Sequence, residues 1–212
     1  MLAAVEYIVW HEVAALQWDG YSRISNAISE LSLTGNPSRA ILVPWQLPIY
    51  DLLLIGFGVG IWVSARGKRS LRAAGALQIV AGATLPLWLL LGESSVAVHV
   101  ILAMVSVLSW FGTMGFAAVG IGGRFRLYTI ASAVAVLASF VPAFMYAPAV
   151  EAGDPTPYIG LFERIGFAVY FVWTTVFAIV LWRRQSSEAG EARDTGLRRS
   201  DYVGSGPSSA NS

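Results

Sequence analysis

The chain alternates between long apolar blocks and short polar connections, and the blocks are too continuous to be amphipathic helices on a soluble core. Five of them reach the length an α-helix needs to cross hydrocarbon, about 20 residues at about 1.5 Å each. They occupy positions 46–65, 73–91, 96–119, 127–147 and 159–182. A sixth block, 1–16, is short, because as a helix it would rise about 24 Å against a hydrocarbon core of about 30 Å. It also carries Glu6, His11 and Glu12, which at about 100° per residue point in three directions and cannot share one protein-facing stripe. The pattern predicts an all-α integral membrane bundle of six transmembrane helices over 1–184, followed by a polar, disordered tail over 185–212.

The longest internal connection runs from 17 to 45. Within it Ile24, Ile28 and Leu31 recur at helical spacing among Ser25, Asn26, Ser29 and Glu30, which predicts a short interfacial helix of two to three turns. Ser22 is its candidate N-cap, and Gly35, Asn36 and Pro37 end it. Trp18, Tyr21 and Trp45 are placed at headgroup level. The connection 92–95 is so short that the third and fourth helices must be antiparallel neighbours.

Composition agrees with the pattern: 56% hydrophobic residues, 13% charged residues and a mean hydropathy of +0.61 do not describe a water-facing surface. The absence of cysteine excludes disulfides and thiolate sites, and two histidines leave little for a metal, so neither a metal nor a cofactor is expected. A formal charge of +1, with its basic residues spread among loops, argues against nucleic acid and leaves membrane lipid as the partner that composition names. The first basic residue is Arg23, after the first apolar block, so 1–16 reads as retained in place of a cleaved signal. The lack of a basic residue ahead of that block leads us to expect a native start upstream of Met1.

Arg66, Lys68, Arg69 and Arg72 fall in the second connection, Arg124 and Arg126 in the fourth, and Arg183 and Arg184 just after the last span. With six spans all of these share one side. The other side gathers Asp19, Glu30, Glu93, Glu151 and Asp154 with only Arg23, Arg39 and Arg164. This bias predicts a multi-pass protein of the cell membrane with both termini cytoplasmic.

Candidate chemistry is sparse. Gly56 and Gly60 form a Gly-x-x-x-Gly pair suited to close helix packing, and Gly75 and Gly82 lie one heptad apart in the next span. His99, Ser106 and Thr113, with Ser109 nearby, make one polar face on the fourth span; Ser and Thr there can bond back to their own helix, whereas His99 needs a partner of its own. Asp51, His99 and Glu163 each lie a few residues inside a helix that starts from the outer side, so they fall at similar height, with Arg164 beside them and Glu30 above. These five form a candidate outer-end polar cluster, because charged groups converging inside the bundle cost less than the same groups facing lipid.

The stretch Gly20, Tyr21, Ser22, then Asn26, Ile28, Ser29, Glu30 and Leu31, then Gly35 and Pro37, together with the Glu163-Arg164 pair opening the last helix, resembles the prokaryotic multi-pass membrane family known as domain of unknown function 998. The similarity covers about Tyr7 to Trp182. Ser32 stands where that family often has glycine, and the first helix is shorter than the resemblance implies. It implies six spans and supplies no chemistry.

Nucleotide loops, nucleophile elbows, metal triads and redox motifs need residue spacings that are absent here. The favoured reading is a non-catalytic membrane component that binds or transports a small solute or lipid, or accompanies another membrane protein. The alternative is an intramembrane enzyme acting on a lipid or prenyl substrate at the outer leaflet, with His99 as base and Asp51 or Glu163 orienting it. Pro86 and Pro142, the deep prolines, lie toward span ends and do not break a helix at mid-membrane, and no repeat relates the two halves, so transport has no specific mark. Topology reporters fused after Gly67, Arg126 and Arg184 are expected to read cytoplasmic, and those at Ser38 and Asp154 to read outside; an outside signal at Gly67 would invert the whole orientation.

Overall fold

The computed structural model describes residues 2–91 and 95–204, so the expected tight connection at 92–95, with Glu93, falls largely outside the described residues. Among the described residues the fold is all-helical, without strands. The main elements are α1 (Leu2–Ala15), α2 (Arg39–Ser64), α3 (Arg69–Leu91), α4 (Val96–Ile121), α5 (Gly123–Met145), the short α6 (Ala147–Ala152) and α7 (Ile159–Gly204). Four stretches, Arg39–Ser64, Ala97–Ile121, Gly123–Ala152 and Ile159–Ser187, are long and apolar enough to cross a membrane. Their outward faces carry large apolar side chains such as Leu52, Val63, Val119 and Met145, each at least 70% exposed. A surface of that kind belongs in lipid.

Several boundaries depart from the sequence expectation. The second helix starts at Arg39 instead of 46, passing through a π-helical turn at Leu42–Gln46 before the regular helix Leu47–Ser64. Pro44 falls in the widened turn and Pro48 in the first turn of the regular helix, places that tolerate a missing N–H. The fourth connection shrinks to Gly122, with Arg124 and Arg126 inside the first turn of α5. The chain forms two compact units, Met1–Thr175 and Val176–Ser212. In the second, α7 is helical to Gly204, whereas the sequence predicts a disordered tail over 185–212.

The three ionisable groups of α1 find three different partners. His11 is buried, with Nδ1 2.7 Å from the Tyr7 carbonyl oxygen and its ring stacked on Tyr7 at 3.9 Å. Glu6 accepts from Gln46 Nε2 at 3.3 Å, and Glu12 pairs with Arg23 at 2.7 Å. Neighbouring helices pack in sequence order from α1 to α5. The first turns of α7 pack one face against them, where Phe167 meets Tyr7 and Phe140, and Tyr170 stacks on Trp110 at 4.1 Å, while Leu161, Ile165 and Val172 stay exposed. Two buried polar pairs hold α7 deeper down: Tyr170 Oη donates to Gln78 Oε1 at 2.6 Å, and Trp173 Nε1 donates to Thr129 Oγ1 at 3.0 Å. On α4, Ser109 and Thr113 bond back to the carbonyls of Val105 and Ser109, which satisfies hydroxyls on an apolar helix locally.

Gly58 on α2 and Gly75 on α3 let these two helices approach closely. A Cβ on Gly58 would stand 2.8 Å from the Ile79 amide nitrogen and 2.9 Å from the Gly75 carbonyl oxygen. Gly56 and Gly60, singled out for packing by their spacing, face outward into open space. Gly58→Val is therefore expected to lower stability by about 1–3 kcal/mol through backbone overlap, and Gly56→Val to change it by less than about 0.5 kcal/mol. Thermal unfolding in detergent distinguishes them, and equal losses would contradict this packing.

Candidate functional site

The connection between α1 and α2 is not the interfacial α-helix its periodicity predicts. It is a folded loop with one turn of 3-10 helix at Ser29–Ser32, and it turns Ile28 and Leu31 inward while Ile24 remains exposed. Tertiary bonds override the local pattern. Asn26 Oδ1 accepts from the Ser22 N–H at 2.9 Å, and the Glu30 carboxylate accepts from the Ala27 N–H at 2.6 Å and from Asn26 Nδ2 at 2.8 Å. Asn36 Nδ2 donates to the Glu30 carbonyl, Ser38 Oγ to the Leu31 carbonyl at 2.6 Å, and Arg39 Nη1 to the Ser32 carbonyl at 2.7 Å. Glu30, expected to project into a site, is thus largely occupied in folding its own loop.

The start of α7 latches this loop. Glu163 Oε2 accepts the Ile28 N–H at 2.6 Å. Arg164 donates from Nη1 to the Arg23 carbonyl at 2.8 Å and from Nη2 to Tyr21 Oη at 2.8 Å. The Leu161 N–H donates to the Ile24 carbonyl and Thr156 Oγ1 to the Ser25 carbonyl, both at 3.1 Å. Gly160 permits this contact, since a Cβ there would run into the Asn26 and Arg23 carbonyl oxygens. Tyr21, placed at headgroup level by its sequence position, is instead buried and donates to the Ala27 carbonyl at 3.1 Å. Burial pushes its phenol above the ordinary value and so keeps the hydroxyl protonated and a donor, while the hydrogen bond from Arg164 acts in the opposite direction.

Beneath the loop, at the end of the bundle away from Arg66, Lys68 and Arg124, lies a cavity of about 280 Å³. Asp51, His99, Glu163 and Glu30 all line it; Arg164 does not, its guanidinium being turned to the loop. The walls are otherwise mainly apolar, with Leu54, Ala103, Val107 and Phe140 among them, and they include Tyr7, His11, Tyr50, Trp88 and Trp110. Sequence reasoning missed these five as site residues. The i, i+4 spacing of Tyr7 and His11 and the adjacency of Tyr50 to Asp51 were usable signals; Trp88 and Trp110 carry none among so many aromatics.

Asp51 is only 4% exposed, and its Oδ1 has no hydrogen-bond partner among the described residues; the same holds for His99 Nδ1 and Tyr50 Oη. The His99 ring meets the Trp88 ring edge to face at 5.5 Å. Among the described residues no three His, Asp or Glu side chains stand close enough together to hold a metal ion. The arrangement can enclose a molecule and offer it a few polar contacts on apolar walls, which is the usual character of a small-ligand pocket.

Fold and site together define a helical membrane protein with a loop-roofed cavity at one end of its bundle. The chain belongs to the family described as "Protein of unknown function (DUF998)", whose model matches residues 1–180. Neither a curated protein nor a solved structure matches it. The matched residues include both the loop and the Glu163-Arg164 pair that latches it.

Proposed function

We propose that this protein is a multi-pass component of the cell membrane that binds a small amphiphilic molecule in the cavity beneath its latched loop. The observation that carries this reading is the cavity itself: an apolar chamber among α1, α2, α3, α4, α5 and α7 into which four polar candidates, Glu30, Asp51, His99 and Glu163, are gathered. Filling it with side chains would stabilise the bundle, since empty apolar volume forfeits packing. A chamber retained in that position is best explained by an occupant.

In this reading α1 and α3 complete six spans around the four long apolar stretches, and the Lys/Arg bias puts both termini in the cytoplasm and the roofed cavity at the outer leaflet. At 14 residues, α1 rises about 21 Å, so its span relies on local thinning of the bilayer or on its packing against α2. A binding role needs no catalytic pair. Whether the bound molecule is held, handed on or carried follows from the same cavity, and binding is the step common to all three.

Native mass spectrometry of the protein extracted from its own membranes tests the proposal. A discrete small-molecule adduct is expected on the wild type and is expected to disappear in Ala103→Trp, which places an indole in the chamber. Absence of any adduct, or one that persists in the filled variant, would contradict cavity binding.

A further inference from the structure

The charge of the cavity wall selects among amphiphiles. Among the described residues it carries three carboxylates, Glu30, Asp51 and Glu163, and no lysine or arginine. Two of the acids are already engaged: both oxygens of Glu30 accept hydrogen bonds from the loop, and Glu163 Oε2 holds the Ile28 N–H. Asp51 differs. It is nearly fully buried, its Oδ1 has no hydrogen-bond partner, and the nearby ionisable group that acts on it is Glu6, of like sign. A buried carboxylate without a cation is costly, and a charge brought by a ligand removes the cost.

Aromatic rings line the same chamber. Tyr50 adjoins Asp51 in sequence, Tyr7 stands 4.8 Å from both the Tyr50 ring and the Phe167 ring, and Trp88 and Trp110 line the same chamber. Aromatic faces attract cations and are indifferent or unfavourable to anions. An anionic amphiphile such as a fatty acid or a prenyl phosphate would instead meet three carboxyl groups and no lysine or arginine.

We infer that the ligand of this cavity is a hydrophobic organic cation, an amine or quaternary ammonium on an apolar body, with Asp51 as its counter-ion and the aromatic side chains that line the chamber as its apolar and π-rich surroundings. The inference rests on the cavity-binding reading and narrows it to one class of ligand. It also bears on the alternative enzyme reading, because a prenyl phosphate substrate is the wrong charge for these walls.

Equilibrium dialysis of the full chain in nanodiscs against three probes of similar size decides the matter: benzyltrimethylammonium, its neutral isostere neopentylbenzene, and phenylacetate, each corrected for empty nanodiscs. Saturable binding of the cation about tenfold or more tighter than the neutral probe is expected, equivalent to about 1.4 kcal/mol. Asp51→Glu is expected to keep that preference and Asp51→Asn to abolish it. If Asp51→Asn fails to fold, the wild-type ranking of the three probes still decides. Equal binding of the neutral probe, meaning a protonated Asp51, or tighter binding of phenylacetate, would overturn the cation assignment while leaving the cavity reading standing. No saturable binding of any probe would overturn both.

Discussion

The structure depends on satisfying the backbone of a non-helical loop at the end of an apolar bundle. Helices bond their own N–H and C=O groups, but the segment between α1 and α2 gives up that solution after Ala15 and makes only one turn of 3-10 helix. Its inward-facing groups must find partners elsewhere, at a cost of about 1–3 kcal/mol for each one left unmade. Glu30, Asn36, Ser38 and Arg39 supply partners from within the loop, and Glu163, Arg164 and the Leu161 amide supply them from α7. Charged groups are suited to this work because hydrogen bonds to an ionised partner are roughly twice as strong as neutral ones.

The cavity follows from this arrangement. A helical segment lying on the membrane surface would leave that end of the bundle uncovered, whereas the latched loop places Ile28, Ser29 and Leu33 against the space between α2, α4 and α7. The Glu163 carboxylate serves twice, as an anchor for the roof and as part of the chamber wall. Asp51 has no comparable structural partner at Oδ1, and this difference between two carboxylates of one wall is what turns a packing description into a ligand hypothesis.

How much was legible in sequence follows the length scale of each signal. The long apolar blocks specify membrane helices because hydrocarbon admits only helices and closed β-barrels, and barrel strands would alternate apolar and polar residues. Helix direction leads one to expect Asp51, His99 and Glu163 at similar height, and the three residues line one chamber. The loop was misread because Ile24, Ile28 and Leu31 fit a helical period, while the bonds that bury Ile28 and Leu31 come from residues more than 100 positions away or from side-chain to backbone contacts that periodicity does not encode. The glycines were misassigned for a related reason. Gly56 and Gly60 match a motif, but which face of α2 meets α3 is decided by the whole bundle, and it is Gly58 that lies there.

The latch is tested most directly by amide hydrogen exchange on the full chain in nanodiscs, resolved over the loop peptide containing Ala27 and Ile28. With the Ile28 N–H bound to a half-buried carboxylate, exchange in the wild type should be slowed, and Glu163→Ala should accelerate it roughly 10- to 100-fold, as loss of a charged hydrogen bond of about 1.5–3 kcal/mol implies. Glu163→Gln, which keeps an acceptor oxygen, should fall between them. Loop amides that exchange freely in the wild type, or rates unchanged by Glu163→Ala, would contradict the latched roof and the chamber built beneath it.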